Sequence, residues 1–396
     1  PGRLRTGRGG PRGGRPMTKC PRCFHDLPDD EFAWYDSADT RVELNQVASR
    51  YAGGDVHTRS VHTVLRPPDA DHTWSPVPED VAHHVEVCPL CHYDLPGNWR
   101  WGDATCIAMA GARYTGKTVY IAVLIKQLKK FLEAADTEVT PADMVTERTY
   151  AANYERPLFE QRGIAAATPA AAVAAHQPPL IFNIGFWGER QHFLVIRDVA
   201  GEDLENAETS GPSWEFFGLA HAVLFLFDPL RVRDISDQLL DLVPPTNLIG
   251  GDPGDVLRKV MSLIGHGNPR IGLVLSKFDA LQALSRVEQS SWGRVMANPG
   301  AAFNRDPGLV AAEYDEDDGT FLHCEVVSLL QRLHAGPMLR TLRNPVTGQY
   351  YENRFFAVSA LGMPPVGEKL HRSGISPFRC LDPIRWVLAE RGVSQT

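Results

Sequence analysis

The sequence predicts an α/β protein in which helices flank a mostly parallel sheet, with a small zinc-binding domain ahead of it. Three observations support this: apolar strand-like runs alternate with helical segments, a glycine-rich loop joins one strand to one helix, and two C-x-x-C pairs precede that loop. The chain has 396 residues, 43% of them hydrophobic, which allows one large and one small domain. We expect a leader at 1–16, a zinc-ribbon-like module with a long insertion at 17–102, and the α/β domain at 103–392.

The first 16 residues differ in composition from the rest, with five arginines and no acidic residue. We expect a disordered leader or an artefact ahead of a true start at Met17; an arginine-glycine arm that touches nucleic acid is the alternative. The formal net charge of −8 is not typical of a nucleic-acid-binding protein. No apolar run approaches the roughly 18 residues that a membrane helix needs. We therefore expect a cytoplasmic protein with no membrane partner.

Two short cysteine motifs, Cys20-Pro-Arg-Cys23 and Cys88-Pro-Leu-Cys91, are near copies of each other. Each supplies two thiolates from a tight turn, and two such turns face to face form the tetrahedral four-sulfur site that Zn²⁺ prefers. The predicted zinc ligands are Cys20, Cys23, Cys88 and Cys91. The intervening residues 24–87 must then fold on top of this ribbon.

Other uses of these cysteines stay open. Iron could fill the same site, the pairs could form a redox-active dithiol, and His25 or His92 could replace a thiolate. Paired C-x-x-C motifs ahead of a phosphate-type loop favour a reducing compartment and metal binding over disulfides. We expect the remaining cysteines, Cys106, Cys324 and Cys380, to be buried.

The glycine-rich loop, Gly111-Ala-Arg-Tyr-Thr-Gly-Lys-Thr118, matches the phosphate-binding pattern G-x-x-x-x-G-K-[ST] at every fixed position. An apolar run at 104–110 predicts a buried strand before it, and apolar residues at helical spacing follow it. Backbone N–H groups of such a loop and the positive end of the helix dipole bind phosphate oxygens. Lys117 would neutralise the outer phosphates, and Thr118 would bind Mg²⁺. The predicted phosphate-binding residues are Gly111, Ala112, Arg113, Tyr114, Thr115, Gly116, Lys117 and Thr118.

Two strand-like runs, at 179–186 and 191–197, lead into the segment Asp198-Val-Ala-Gly201. A carboxylate at this strand end can orient Mg²⁺ through a water molecule, and the Gly201 amide can meet a γ-phosphate. Glu202 could orient the attacking water or simply cap the next segment. Arg113 could bring a positive charge to the phosphates or face solvent.

Three further apolar runs, at 222–228, 271–276 and 354–359, predict buried strands. The second run ends in Ser276-Lys277-Phe278-Asp279, and the third leads into Ser359-Ala360.

The order of these motifs resembles that of the translation-factor-related (TRAFAC) class of P-loop GTPases, and the resemblance covers the α/β domain. It implies the P-loop NTPase fold, GTP and Mg²⁺ as ligands, and GTP hydrolysis. It also implies that Asp279 accepts two hydrogen bonds from guanine and that Lys277 packs over the base, with Ser359 and Ala360 in the last base-contacting element. Ser276 departs from the family pattern, which prefers Asn or Thr.

The same resemblance implies a threonine on a mobile loop that binds Mg²⁺ and the γ-phosphate. Thr168 is the candidate, and Thr146 and Thr149 compete with it. More narrowly, residues 111–125 and 381–388 are similar to the bacterial double-GTPase group, whose members are predicted parts of conflict systems and act beside a second GTPase. This likeness implies a protein partner such as a second GTPase.

We therefore expect a Mg²⁺-dependent switch that binds and hydrolyses GTP, slowly without a partner, and that uses the zinc module for partner recruitment. Two alternatives stay open. One is a P-loop ATPase of another clade, in which Asp228 at the end of its apolar run is the metal-binding acid. The other is a scaffold that binds nucleotide without hydrolysing it.

The stretch between Asp279 and Ser359 is longer than a minimal GTPase needs. We expect a solvated acidic loop at 313–318 and one helix at 321–342. Insertions of this kind commonly hold the partner of a GTPase.

Overall fold

The computed structural model describes residues 18–71, 74–163, 177–206, 211–232, 235, 251–286, 291–308, 313–344, 346–364 and 369–393. The expected leader at 1–16 and the candidate Thr168 lie outside these residues. Within the described part of the chain, none of the helices combines the length and the apolar character that crossing a bilayer requires.

The N-terminal part contains a small antiparallel sheet of order β4–β1–β5, a short β2–β3 ladder and one helix. Its elements are β1 (Glu31–Asp36), β2 (Glu43–Leu44), α1 (Gln46–Ala52), β3 (His57–Thr58), β4 (His62–Leu65) and β5 (His84–Val87). Helix α1 has clear ends, because Asn45 accepts the Ala48 N–H at 3.0 Å and Gly53 stops it at φ 75°. The excursion between the two cysteine motifs is therefore folded structure.

A large, mostly parallel sheet forms the second part, and it confirms the predicted α/β class. Its strands are β6 (Asp103–Ala110), β7 (Thr140–Pro141), β8 (Leu180–Trp187), β9 (Arg190–Asp198), β10 (Ala222–Phe227), β11 (Arg270–Leu275) and β12 (Asn353–Ala357). The spatial order is β12–β11–β10–β6–β9–β8–β7; the first five are parallel, and β8 and β7 are antiparallel to their neighbours. Strands β6 and β10 are buried at almost every position, as expected where both faces of a parallel sheet are covered.

Helices connect these strands. They are α2 (Lys117–Glu133), α3 (Met144–Tyr150), α4 (Gly201–Asn206), α5 (Phe216–Leu219), α6 (Pro253–Ile264), α7 (Phe278–Gln282), α8 (Ser291–Met296), α9 (Glu316–Arg332), α10 (Gly336–Arg340) and α11 (Asp382–Glu390). A π-helix (Ala151–Glu160) continues α3, and single 3₁₀ turns occur at Trp99–Trp101, Pro212–Trp214, Pro229–Arg231, Ala283–Arg286 and Ala302–Asn304. Helix α2 follows the glycine-rich loop directly and buries Ile121, Leu124 and Leu128 on one face.

The acidic run at 313–318 is only in part the solvated loop that we expected. Most of its residues are exposed, but Asp315 caps α9 by accepting the Asp318 N–H at 2.9 Å, and residues 316–318 form the first turn of the helix. Asp318 is buried and forms ion pairs with Arg379 and Arg305. The buried Arg379 and the exposed Arg305 thus neutralise this acid.

The single helix expected at 321–342 is also wrong in its bounds. Helix α9 ends at Arg332, His334 takes a left-handed φ of 59°, and α10 starts anew at Gly336. Cys324, expected to be buried, is exposed. It lies off the face of α9 that buries Leu322 and Val326.

The two parts pack against each other through one continuous buried core. Trp99 stacks on Phe193 of β9 with ring centroids 4.7 Å apart, and its indole Nε1 donates to the Lys19 carbonyl at 2.9 Å. Phe24 meets Phe216 edge to face at 5.7 Å. The N-terminal part is therefore anchored on the sheet beside β9.

Two histidines, the buried His192 and the half-buried His221, lie at the amino ends of central strands. His192 Nε2 lies 2.9 Å from the Thr105 hydroxyl, and His221 Nδ1 accepts the Cys106 N–H at 2.9 Å. Burial lowers the pKa of His192 to about 4 and that of His221 to about 3. Both imidazoles are consequently neutral in the folded protein near pH 7.

We expect acid to destabilise the protein through these histidines. Between their folded pKa values and the ordinary value of about 6.5, the unfolded chain binds protons that the folded protein does not, so stability falls as pH falls through this window. The loss is about 2 kcal/mol per histidine between about pH 7 and about pH 5. The free energy of unfolding should be measured with denaturant at about pH 7 and at about pH 5. Its decrease between the two should be about 2 kcal/mol smaller for His192→Gln than for the wild type.

The control for this measurement is His57→Gln, because His57 is exposed. It should lose as much stability as the wild type over the same range. An equal loss in His192→Gln would contradict the assignment.

Candidate functional site

One cavity of about 350 Å³ lies where the loops after β6, β11 and β12 meet. Four segments line it: residues 113–120, Gly201 with Glu202, the group Ser276, Lys277 and Asp279, and residues 358–361. Because these segments follow parallel strands, the sheet brings them to the same edge. The structure thus places the phosphate-type loop and the predicted base-contacting residues in one cleft; Gly111, Ala112 and Asp198 lie behind its lining.

The glycine-rich loop has a backbone that its glycines permit. Gly111 has φ 148° and Gly116 has φ 86°, and Tyr114 also takes a left-handed φ of 62°. A Cβ at Gly111 would come within 2.2 Å of the Leu226 carbonyl oxygen on β10. Gly116 immediately precedes α2, so the N-terminus of this helix faces the cavity wall. This is the backbone arrangement that binds anions.

Lys117 is the buried cation of the loop. Its Nζ donates to the Gly111 carbonyl at 2.8 Å and lies 3.4 Å from the Ala112 carbonyl. Burial lowers the pKa of Lys117, while the negative charges of Asp198 and Glu205 act in the opposite direction. The ammonium group is held by carbonyl oxygens in a desolvated position beside the cavity.

Asp198 ends β9, opposite Met109 in the parallel register with β6. This pairing places its carboxylate beside the start of the glycine-rich loop. The Tyr154 hydroxyl, from the π-helix, donates to Asp198 Oδ2 at 3.0 Å. Asp198 and Thr118 are both largely buried and offer the hard oxygen ligands that suit Mg²⁺.

The segment after Asp198 is in direct backbone contact with the loop. A Cβ at Gly201 would lie 2.5 Å from the backbone nitrogen of Arg113, so no larger residue fits there unless the backbone shifts. The Arg113 guanidinium lies 2.5 Å from Glu202 Oε1 and 3.3 Å from Glu205 Oε2. Arg113 is therefore not a solvent-facing residue. It is also not an unpaired charge beside the cavity, because it forms ion pairs with two glutamates.

Side-chain contacts hold the residues that were predicted to contact the base. The Ser359 hydroxyl donates to Asp279 Oδ1 at 2.6 Å, and Lys277 Nζ lies 2.9 Å from Asp228 Oδ2. Ser276 donates its hydroxyl to the Phe227 carbonyl at 3.0 Å and so ties this loop to the end of β10. Asp228 is almost completely buried and also caps the next turn, which gives it a structural role.

The competing switch threonines lie away from the cavity lining. Thr146 is fully buried, and its hydroxyl accepts the Ile181 N–H at 3.0 Å. Thr149 is partly exposed on α3. Thr168 lies outside the described residues, so it stays a prediction.

The four motif cysteines form a compact, buried cluster. Cys20 Sγ lies 3.6 Å from Cys91 Sγ, Cys23 Sγ lies 3.8 Å from Cys88 Sγ, and all four sulfurs lie within 4.8 Å of one another. Tetrahedral Zn²⁺ with Zn–S bonds of about 2.3 Å requires sulfurs about 3.8 Å apart. The cysteines are unbridged, and the donor set fits zinc.

The two knuckles have the same conformation. The Arg22 N–H donates to Cys20 Sγ and the Leu90 N–H to Cys88 Sγ, both at 3.4 Å. Phe24 and His92, the residues after each second cysteine, take left-handed φ values of 62° and 52°. Such N–H···S contacts favour the thiolate form that a metal needs.

The electrostatics of the cluster also favour a bound cation. Burial, together with the neighbouring thiols, raises the pKa of Cys20, and burial raises the pKa of Cys91. Four thiolates could therefore share this site only around a positive ion. His92 is turned to another partner, since its Nδ1 lies 2.9 Å from Asn45 Oδ1. His25 lies beside the cluster: its side chain interacts with Cys23, which raises the pKa of His25, and its Nε2 lies 3.8 Å from Glu215.

Comparison with known proteins gives one informative relative. The chain is 47% identical over 386 residues to a protein of Mycolicibacterium smegmatis described as "Putative ESX-1 scaffolding and assembly protein SaeC", and the match covers 95% of this chain and 100% of SaeC. The chain belongs to the SaeC family. No family model matches it.

One solved structure, the GTPase-like domain of S. cerevisiae Ski7 bound to GDP and inorganic phosphate, resembles this SaeC-family chain weakly. The identity is 11% and the TM-score 0.32, and the match covers 73% of this chain and 50% of that one. Likeness of this degree supports no inference about fold or function. The description of SaeC concerns ESX-1 scaffolding and assembly, so the likeness to conflict systems finds no support in it.

Three residues beside the site of this SaeC-family member were not predicted from its sequence. Tyr154 and Arg231 carry no motif, and only the fold brings them to Asp198 and to the Arg113 carbonyl. Glu205 did carry a signal, because it stands three residues after Glu202 on the same helical face. Acidic residues at this spacing beside a loop arginine could have indicated an ion-paired contact.

We expect Cys20→Ser to lose bound zinc and to destabilise the N-terminal part. Removing one thiolate leaves an incomplete tetrahedral site, and the small sheet has little core of its own. Metal analysis of the purified protein should find about one zinc per chain in the wild type and much less in the variant. The matched control is Cys324→Ser, since Cys324 is exposed and outside the cluster; a wild type without zinc would refute the assignment.

Proposed function

We propose that this chain has the P-loop NTPase fold and is a Mg²⁺-dependent switch that binds and hydrolyses GTP. The observation that carries the proposal is the single cavity, because it joins the phosphate-type loop to Lys277, Asp279 and Ser359. A nucleoside triphosphate needs a phosphate end and a base end at a matching distance within one cleft. The two motif sets lie 160 residues apart in sequence (277 minus 117) and meet at the ends of parallel strands.

The phosphate end uses residues of the loop and of β9. Lys117 and the amides of residues 114–118 bind phosphate oxygens, and Gly201 contacts the γ-phosphate. Thr118, and Asp198 through a water molecule, would hold Mg²⁺, which would neutralise phosphate charge. Glu202 would orient the attacking water; Thr168, outside the described residues, stays the sequence-based candidate for the γ-phosphate contact.

The base end favours guanine. The Asp279 carboxylate can accept a hydrogen bond from Ser359 and still accept two from the N1 and N2 groups of guanine, whereas adenine offers no such donor pair. The ATPase alternative is weaker, because Asp228 is buried, paired with Lys277 and absent from the cavity lining.

The zinc module is proposed to serve assembly. Its cysteine cluster fits structural zinc, and the reduced thiols suit the cytoplasm. Its surface offers a place for a protein partner, and SaeC is described as a scaffolding and assembly protein. We propose that nucleotide state controls how this module and its neighbours engage that partner, which could be a second GTPase.

A second candidate is a scaffold that binds GTP without hydrolysing it. Two observations favour it: Glu202 is paired with Arg113 at 2.5 Å, and the relative is described by assembly and not by an activity. A glutamate engaged in this ion pair is poorly placed to orient water.

We expect GTP to compete with a fluorescent GTP analogue far better than ATP does. Asp279→Asn should weaken GTP binding about tenfold to a hundredfold, because charge-assisted hydrogen bonds to guanine are lost. The same variant should gain affinity for xanthosine triphosphate, whose base reverses the donor pattern. Asp317→Asn, an exposed change, is the control; tighter ATP binding by the wild type would sink the guanine assignment.

Hydrolysis separates the switch from the scaffold. In single-turnover assays with Mg²⁺·GTP, Lys117→Ala should release phosphate at least about a hundredfold more slowly than the wild type, because it lacks the charge that stabilises the transferred phosphoryl group. Lys130→Ala lies on the same helix, is exposed, and should match the wild type. Equal phosphate release by the wild type and Lys117→Ala would favour the scaffold.

A further inference from the structure

Glu205 holds α4 against the phosphate-type loop through two contacts with one residue. Its Oε1 accepts the Arg113 backbone N–H at 3.0 Å, and its Oε2 lies 3.3 Å from Arg113 Nε. The Glu205 side chain is 13% exposed, so these contacts are shielded from solvent. Charge-assisted contacts in such a position are stronger than surface ion pairs.

The same carboxylate acts on the second cation of the loop. The negative charge of Glu205 raises the pKa of Lys117, against the larger effect of burial. Glu205 therefore balances the charge of both Arg113 and Lys117. It does so from behind the loop, because Arg113 and Lys117 line the cavity and Glu205 does not.

We propose that Glu205 is an internal counter-anion of the phosphate-type loop, and that the Arg113 guanidinium exchanges between Glu205 and the γ-phosphate of a bound triphosphate. This inference rests on the proposed function, since it needs a triphosphate in the cavity. Glu205 is a positioning residue: it acts on the nucleotide through Arg113. No covalent bond changes in this exchange.

The exchange requires only the Arg113 side chain to move. Arg113 lines the cavity and is 29% exposed on its side chain, so its guanidinium has room to turn towards phosphate. Planar guanidinium groups pair with phosphate oxygens as well as with carboxylates. Such a turn also breaks the pair with Glu202, which lines the cavity and is the proposed water-orienting residue. One exchange thus links γ-phosphate binding to the release of Glu202 and to the loss of one of the two contacts between Glu205 and Arg113.

Breaking these contacts uses part of the binding free energy of the triphosphate. Removing the Glu205 charge should therefore tighten triphosphate binding, and most of the gain should require Arg113, with a smaller part coming from the Glu205 charge acting on Lys117. A purely structural role for Glu205 predicts the opposite, since loosening α4 would weaken binding of every ligand.

The test is calorimetric titration of the full chain with Mg²⁺ and three ligands: GTPγS, GDP and tripolyphosphate. We expect Glu205→Gln to bind GTPγS and tripolyphosphate about threefold to tenfold more tightly than the wild type, and GDP with less than about a twofold change. In the Arg113→Ala background the gain from Glu205→Gln should fall below about twofold, because only the effect of the Glu205 charge on Lys117 remains. Glu202→Gln, at a more exposed position, should give a smaller gain in the same direction.

The matched control is Glu316→Gln, which also removes an arginine's carboxylate partner but lies outside the cavity. It should bind all three ligands like the wild type, and thermal unfolding identifies any variant that is not folded. Weaker or unchanged binding in Glu205→Gln and Glu202→Gln would overturn the proposal. So would a gain from Glu205→Gln that stays at about threefold or more in the Arg113→Ala background. A further outcome is that Glu205→Gln binds tripolyphosphate with the expected gain while GTPγS binds no more tightly than tripolyphosphate. That result would support this inference and count against guanine recognition. If no variant binds any of the three ligands, both this inference and the proposed function are wrong.

Discussion

The parallel register of the central strands is the constraint on which the rest of the structure depends. Asp198 of β9 lies opposite Met109 of β6, and Leu275 of β11 lies between Phe227 of β10 and Ala357 of β12. The strands therefore end at nearly the same level, and the loop after each one enters the same space. Residues that are distant in sequence become neighbours because their strands stop together, which is the general reason that ligands bind at this edge of open α/β sheets.

The second constraint is the attachment of the cysteine module to β9. Arg197, one residue before Asp198, donates to the Arg22 carbonyl at 2.6 Å and lies 3.7 Å above the Phe216 ring. Arg22 belongs to the first cysteine knuckle, and Phe216 follows the segment that contacts the glycine-rich loop. A rearrangement of the chain after Asp198 would consequently change the contacts of the module. This physical connection gives the proposed switch a route to the proposed assembly surface.

Much of the fold could be predicted from the sequence, because each central strand is a continuous apolar run and each lies within one residue of its predicted start. The phosphate-type loop could be located because its conformation depends on glycines at fixed positions, here Gly111 and Gly116. The cysteine pairs were similarly informative, since two identical turns predict two identical knuckles. The apolar runs, the glycine positions and the cysteine turns can be recognised because each depends on local backbone geometry, which residues close in sequence determine.

What could not be predicted are the partners of charged side chains. Asp318 sits in an acidic run that is typical of a solvated surface, yet Arg379 from the C-terminal region makes it a buried ion-pair residue. Arg113 occupies a variable position of its motif, and the sequence allowed its side chain to contact either solvent or phosphate. In the fold it forms ion pairs with Glu202 and Glu205. A charged residue is stabilised by whichever opposite charge the tertiary structure brings within a few ångströms, and the local sequence does not contain that information. The ion pairs that we propose to regulate this site are therefore the part that only the three-dimensional arrangement could reveal.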